Sequence, residues 1–413
     1  MMVRDDGQGA WLDVEAFRAA ARTWLAEHMP LRAQDARSGR EPADEAGEVS
    51  RAKELQRRLF GGGFAGLNFP TELGGQGLGI QYQQVFDEES AAYEMPTILK
   101  VPTLAIIGPT LEACASPRQK ERYLPPLIRA DEWWVQLLSE PTGGSDLAGV
   151  LTRATRDGDL FIVHGQKVWS TGAHYSQFGL CLVRTDADAP KHRGLTMLIV
   201  PFDAPGVTVR PIKQITGESD FCEVFFDDVP VPVENVVGAV NKGWSVATTL
   251  MGFERKAAGV GRPRDVVGDL LRLAGERGLG DDPIVHQAIA RAYVAGSVEG
   301  YFARRVSAGI QSGLMPPHAS ALLKLYRAEK HQRNAETAIS MAGEHGVLWP
   351  EDDEWGGEWA QEYLGTRARS IAGGTNEMQR NVVGDRLLGL PREPQPSADV
   401  PFNQIRQNRF RPT

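Results

Sequence analysis

The sequence predicts an α+β chain in three parts, helical at both ends with a small β-barrel between them. Apolar residues recur at helical spacing through residues 1–131, alternate in strand fashion over 132–237, and return to helical spacing over 238–391. A chain of 413 residues exceeds one ordinary core, and at about 150 residues per domain it divides into two or three. The consecutive long segments after residue 238 suggest a four-helix bundle packed beside the barrel.

In the first part, Phe17, Ala20, Ala21, Trp24 and Leu25 make one helical stripe, and Leu55, Leu59 and Phe60 make another. The charged stretch from Arg37 to Glu48, broken by Pro42 and Gly47, reads as an exposed connection. Gly61-Gly62-Gly63-Phe64-Ala65-Gly66 formally satisfies a dinucleotide-binding fingerprint. It follows a helical stretch and precedes Leu-Asn-Phe-Pro, so the strand-turn-helix context that such a loop needs is missing. The middle part carries strand patterns at Leu180–Val183, Leu195–Val200, Val207–Arg210 and Glu223–Phe226, separated by turn residues. Helices are predicted over 243–275, 284–311, 318–342 and 376–388. The Pro-rich, polar stretch from Pro391, with the tail proper at 392–413, reads as an arm or a disordered tail.

Charge and cysteines narrow the class. Lys+Arg 45 against Asp+Glu 53 gives a net charge of -8 and no basic stripe for nucleic acid. The local cluster Lys191-His192-Arg193 reads either as a solvated loop or as a contact for an anionic nucleotide tail. Cys114, Cys181 and Cys222 are odd in number and far apart, which supports neither a disulfide framework nor a metal site. No histidine pair has metal-ligand spacing, and Glu344-His345 lies in a Gly-flanked turn. No stretch approaches the ~20 apolar residues of a membrane span, and a cytoplasmic location is expected.

Two strand-then-turn segments carry the chemistry. Residues 134–138 alternate and then break at Ser139-Glu140-Pro141-Thr142-Gly143-Gly144-Ser145, a turn rich in hydroxyls and free N–H groups that suits a polar ring edge or an anion. Phe161 to Trp169 also alternates and delivers a flat indole beside the hydroxyls of Ser170 and Thr171. Either segment alone also fits an ordinary pair of strands. Near the end of the chain, Ile371-Ala372-Gly373-Gly374-Thr375-Asn376-Glu377 places a Gly-Gly turn before an amphipathic helix, with Thr375 or Asn376 as N-cap.

Together these three segments resemble the acyl-CoA dehydrogenase family. The flanking phrases fit as well: Phe17-Arg18 to Trp24-Leu25, Phe69-Pro70-Thr71-Glu72-Leu73-Gly74-Gly75, Gln119-Lys120 to Leu124-Pro125-Pro126-Leu127, and Val224 to Val229. The resemblance spans roughly residues 11–391 and implies that family's fold, FAD as cofactor, an acyl-CoA substrate and an electron-transfer flavoprotein as acceptor. It places Gln136, Leu138, Ser139, Gly144 and Ser145 on the isoalloxazine edge and pyrophosphate, with Trp169 and Thr171 flanking the ring. Thr375 and Glu377 match cofactor-contacting positions, and Ser145, Arg255 and Gly373 match positions at the substrate.

Desaturation between Cα and Cβ of a thioester needs a base for a weakly acidic proton, and a carboxylate serves when burial raises its pKa. Many relatives carry that base as a Glu at the position of Gly373. A second family variant puts it on the helix after the β-domain, where Glu254 falls here, followed by the family's arginine, Arg255. An exposed helix residue is the plain alternative for Glu254. The small pair Ala372-Gly373 suggests room for a branched or cyclic acyl chain. The family's interfacial Arg-x-x-Phe is absent around 286–291, and Ser340 stands where a Gln is usual. Either a related chain completes a heterotetramer, or this subfamily makes the homotetramer contacts with other residues. A non-catalytic subunit and a flavin-dependent oxidase are the competing expectations.

Overall fold

The computed structural model describes residues 13–32, 45–257, 265–349, 357–394 and 399–405. They fall into two compact units, the first within residues 13–212, 220–257 and 399–405 and the second within 213–219 and 265–394.

The first unit begins with helices. α1 (Val14–His28) is capped by Asp13, whose carboxylate accepts from the Glu15 N–H, and it buries Phe17, Ala21 and Leu25. α2 (Glu45–Gly61) starts inside the charged stretch that the sequence reads as a connection; residues 33–44 lie outside the described residues. It ends at the glycine run, where a Cβ on Gly62 would meet the Trp24 ring at 2.4 Å, so that glycine serves helix packing. There follow α3 (Ile80–Glu89), α4 (Thr97–Leu99), a π turn (Lys100–Ile107) and α5 (Gly108–Cys114). α6 (Pro117–Arg129) opens with a capping box between Ser116 and Gln119. The Gln119 amide also donates to the carbonyls of Glu234 and Val236, which fastens this helix to the end of the β-domain.

The strands are β1 (Trp134–Leu137), β2 (Arg153–Asp157), β3 (Leu160–Thr171), β4 (Phe178–Arg184), β5 (Leu195–Pro201), β6 (Val207–Ile212), β7 (Phe221–Pro232) and β8 (Val236–Val237). They form one mixed sheet in the order β6-β7-β3-β2-β4-β5-β8, with β1 parallel to β4. The sheet curls so that β1, β3, β4, β5 and β7 share one core of Val135, Val163, Val183, Leu198 and Val224. Burial alternates along β3 and β7, whereas β4 and β5 are buried on both faces.

After the sheet comes α7 (Gly243–Ala257). Its Val246, Ala247 and Leu250 are buried in the core of the first unit with Leu195, Met197 and Leu111. Residues 258–264 lie outside the described residues, and the single helix expected over 243–275 is seen as α7 and α8 (Val266–Glu276). The tail contributes a packed arm. Phe402 is buried, the Arg184 guanidinium lies 3.7 Å from its ring centroid, and its N–H donates to the Ala189 carbonyl.

The second unit continues with α9 (Pro283–Gln311), α10 (Ser320–Ala342), α11 (Gly357–Arg369) and α12 (Asn376–Val382). Leu270, Leu273, Ile289, Ala338, Met341 and Trp359 form its main core. α11 is not among the helices predicted from the sequence. Glu299 on α9 binds both Arg327 and Lys330 on α10, and these cations hold its carboxyl below the ordinary value against the opposing effect of burial. Among the described residues no helix is long and apolar enough to cross a membrane, and the three cysteines are free thiols.

Because Leu250 has no exposed surface and touches the core that joins helix to sheet, Leu250→Ala should cost about 2–5 kcal/mol. A lowered midpoint in thermal unfolding followed by circular dichroism is the expected result.

Candidate active site

The site is built outward from β1. Thr103 in the π turn accepts from the Trp134 N–H and donates to the Trp134 carbonyl, both at 3.0 Å, and the Gln177 side chain accepts from the Trp133 N–H at 2.8 Å. With β1 fixed at its start, the chain leaves the sheet at Leu138 and turns. Glu140 and Gly143 exchange backbone hydrogen bonds of 3.1 and 3.0 Å, which makes Pro141-Thr142 a tight two-residue turn.

A buried ion pair holds this loop to β3. Lys167 has no exposed surface, and its ammonium donates to Glu140 Oε1 at 2.8 Å and to the Leu138 carbonyl at 3.0 Å. The Glu140 carboxylate also accepts from the N–H groups of Leu151 and Thr152 at 2.6 and 3.0 Å. Burial alone would push the Glu140 carboxyl up, but Lys167 and these backbone donors hold it below its ordinary value. Lys167 and Glu140 together make four hydrogen bonds, the kind of support under which a buried charge pair is tolerated.

Lys167 is followed by an irregularity in the β3–β7 register, between Lys167 and Ser170. There Trp169 takes φ 62°, a left-handed conformation that costs a bulky residue roughly 1–2 kcal/mol. The effect is to turn the indole outward: Trp169 is 58% exposed and touches Phe221 only edge-on. The Val168 N–H donates to the Ser139 carbonyl at 2.9 Å, so the turn after β1 and the indole are neighbours. Two nearby polar atoms, Gln136 Oε1 and Ser170 Oγ, are buried without a hydrogen-bond partner. An exposed aromatic face beside the unpaired Ser170 hydroxyl fits a flat heterocycle with donors and acceptors on its rim.

Glu254 lies on α7 and Gln136 on β1, and the Gln136 amide is within hydrogen-bonding reach of the carboxylate. Desolvation raises the Glu254 carboxyl above its ordinary value, with Gln136 and Arg255 opposing the shift. Arg255 is also half-buried, and burial lowers its pKa while Glu254 raises it.

In the loop carrying Lys191-His192-Arg193, His192 and Arg193 are exposed. Lys191 pairs with Asp146 at 2.6 Å, Arg193 lies 3.9 Å from Asp399, and the His192 ring packs edge-on against Trp244. Burial and the neighbouring Lys191 push the His192 pKa down.

In the second unit, Gly373 and Gly374 have φ 65° and 88°, conformations that favour glycine. The Gln379 amide donates to both of their carbonyls. Thr375 is the N-cap of α12, its hydroxyl oxygen accepting from the Met378 N–H at 3.1 Å. The exposed Glu377 has its carboxyl held below the ordinary value by its own backbone N–H and the Thr375 hydroxyl.

Comparison with known proteins decides the family. The acyl-CoA dehydrogenase N-terminal, middle and C-terminal domains match residues 13–131, 136–229 and 241–388. The chain belongs to the acyl-CoA dehydrogenase family. It is accordingly an FAD-dependent oxidoreductase of lipid metabolism. Among curated relatives it is 38% identical to acyl-CoA dehydrogenase IpdE1 of Mycobacterium tuberculosis over 384 residues, covering 92% of this chain and 99% of the relative. Among solved structures it is similar to the Tcur3481-Tcur3483 steroid ACAD at 30% identity and TM-score 0.76, covering 92% of this chain and 98% of that one. It is also similar to a chain of the ChsE4-ChsE5 complex from Mycobacterium tuberculosis at 27% identity and TM-score 0.73, covering 93% and 99%.

Of the residues expected to act, Gln136 and Glu254 come together, and Ser139 lies next to the Trp169 turn. Gly144, Ser145 and Thr171 are exposed, whereas the Leu138 side chain is in the core and its carbonyl is taken by Lys167, leaving it only a main-chain role. Gly373, Thr375 and Glu377 form the glycine turn of the second unit. The sequence reading missed Glu140 and Lys167. Their signal was the alternation itself: Phe161, Val163, Gly165 and Lys167 share a strand face, so a lysine was due to point inward.

Lys167→Met leaves Glu140 buried without its cation and should cost about 3–5 kcal/mol. Adding Glu140→Gln should recover part of the loss in thermal unfolding. Glu254 has the opposite linkage. With its folded pKa raised, stability is fully present below the unfolded value of about 4.3 and declines as pH rises through the folded value. Glu254→Gln should therefore unfold at a higher temperature than the parent at pH 7–8, with the difference vanishing near pH 4.

Proposed function

We propose that this chain catalyses the α,β-dehydrogenation of an acyl-CoA thioester, with Glu254 as the base that removes the α-proton. The observation that carries the reading is a carboxylate on α7 made more basic by desolvation beside Gln136. A base of that kind is matched to an α-proton whose acidity is only modest. FAD, when bound, supplies the acceptor for the hydride leaving the β-carbon. The first unit's own parts in holding it are the turn Ser139–Ser145, the Trp169 indole and Thr171; Thr375 and Glu377, in the second unit, match cofactor-contacting positions of the family. Ser145, exposed at the end of that turn, is assigned to the pantetheine arm and Arg255 to the acyl end; Gly373, in the second unit, matches a substrate position of the family. Arg255 also keeps a cation beside Glu254, which opposes its neutralisation by burial.

The acyl group in this proposal is branched or ring-containing. Ala372 and Gly373 bring nothing larger than a methyl to the position where many relatives carry a glutamate, and similarity to a steroid ACAD supports a bulky chain. We assign the electrons to an electron-transfer flavoprotein. A related chain is the assigned partner in a heterotetramer, in place of a homotetramer, and the cytoplasm is the assigned location. The absent Arg-x-x-Phe phrase supports the heteromeric assembly.

The test is anaerobic titration of the yellow, purified protein, with and without its co-purifying chain, against a panel of straight, branched and ring-containing acyl-CoA thioesters. The flavin absorbance should bleach fastest with a ring-containing member. Glu254→Gln should keep its flavin and bleach about 10²–10⁴-fold more slowly. Undiminished bleaching in that variant would refute the assignment of the base.

A further inference from the structure

Gln136 combines two features. Its amide reaches the Glu254 carboxylate, and its Oε1 is buried with no hydrogen-bond partner. A buried carboxamide oxygen left unpaired costs stability, so its retention calls for a partner in another state of the site. Gln136 is also rigidly placed. It sits on β1 in register with Leu180, between the fully buried Val135 and Leu137. Its strand is anchored by Thr103 and Gln177 at one end and by the Leu138–Lys167 contact at the other.

We propose that Gln136 is the positioning residue of the base, on the reading that Glu254 takes the α-proton. Its Nε2 hydrogens hold one carboxylate oxygen before the reaction, which leaves the other oxygen turned toward the substrate. When the substrate C–H bond breaks and the proton forms an O–H bond on Glu254, the carboxylate becomes a donor. A half-turn of the carboxamide then presents Oε1 to that O–H. One side chain so serves both protonation states, and the unpaired oxygen has its use in the second.

The charged group acting on Glu254 is Arg255, on the same helix; α7 packs on the π turn, α5, β4 and β5, and the residue acting on the carboxylate from outside α7 is the uncharged Gln136 on β1. Loss of its amide therefore has a defined sign. The carboxylate loses a donor, its protonated form gains, and the pH at which the base ionises moves up.

The variant to make is Gln136→Met, which keeps the length of the side chain and removes its hydrogen bonds, with Gln136→Asn as the conservative partner. The carboxylic C=O stretch of Glu254, identified by its loss in Glu254→Gln, is titrated by difference infrared spectroscopy in the flavin-loaded protein. In parallel, the pH dependence of flavin bleaching and the affinity for FAD are measured. Gln136→Met should move both the infrared titration and the acid limb of bleaching up by about one pH unit. The Asn variant should fall between it and the parent. If FAD affinity falls while the infrared titration stays where it is, Gln136 is a cofactor contact only and the proposal is overturned. If the infrared titration moves but Glu254→Gln bleaches like the parent, the pairing stands and the assignment of the base has failed. An unmoved titration together with a dead Glu254→Gln variant leaves the base and rejects the role of Gln136.

Discussion

A lysine with no exposed surface decides where the loop after β1 goes. Lys167 would be prohibitively costly to bury alone, and it is held by Glu140 and by the Leu138 carbonyl, while Glu140 takes two further donors from the chain at Leu151 and Thr152. These contacts tie the end of β1, the start of β2 and the middle of β3 to one another. Ser139 and Trp169 each lie within two residues of a member of the pair, so the turn and the indole inherit its rigidity. An apolar pair of equal volume could fill the same space, but it would leave the buried N–H groups of Leu151 and Thr152 without acceptors.

Two glutamates in the first unit show how one physical effect yields opposite chemistry. Both are desolvated, and desolvation is the largest influence on each. Glu140 receives a full cation and backbone donors, stays ionised and is structural. Glu254 receives only an amide and the neighbouring Arg255, and its affinity for a proton rises. The contrast extends to backbone strain. Trp169 accepts a left-handed conformation beside the Lys167 anchor, and the result is an aromatic face turned outward instead of a side chain added to the core.

Much of this was legible in the sequence. The change from helical to alternating periodicity near residue 132 and back near 238 reflects burial on one helix face or one strand face, and that pattern survives into the structure. The glycine run 61–66 could be dismissed from its context, and the packing of Gly62 against Trp24 gives the reason for it. Glu254 was reached through family resemblance, since a glutamate followed by Arg255 and Lys256 reads by itself as an ordinary helix surface. Other features were hidden because they depend on contacts between distant segments. The start of α2 at Glu45 carries too much charge to announce a helix. The packing of α7 in the first unit is set by what Leu250 meets, which periodicity cannot specify. The stretch that reads as an arm or a disordered tail packs as an arm at Phe402, and what could not be read is its anchor, Arg184, more than 200 residues earlier.

The central claim is that Glu254 exchanges a proton with the carbon next to the thioester carbonyl. It is tested most directly apart from electron transfer, with an acyl-CoA analogue whose β-position holds no removable hydride, bound to the flavin-loaded protein in D2O. Mass spectrometry of the recovered analogue should show deuterium entering the α-position with the parent protein and almost none with Glu254→Gln. Equal exchange in the two proteins would contradict the account.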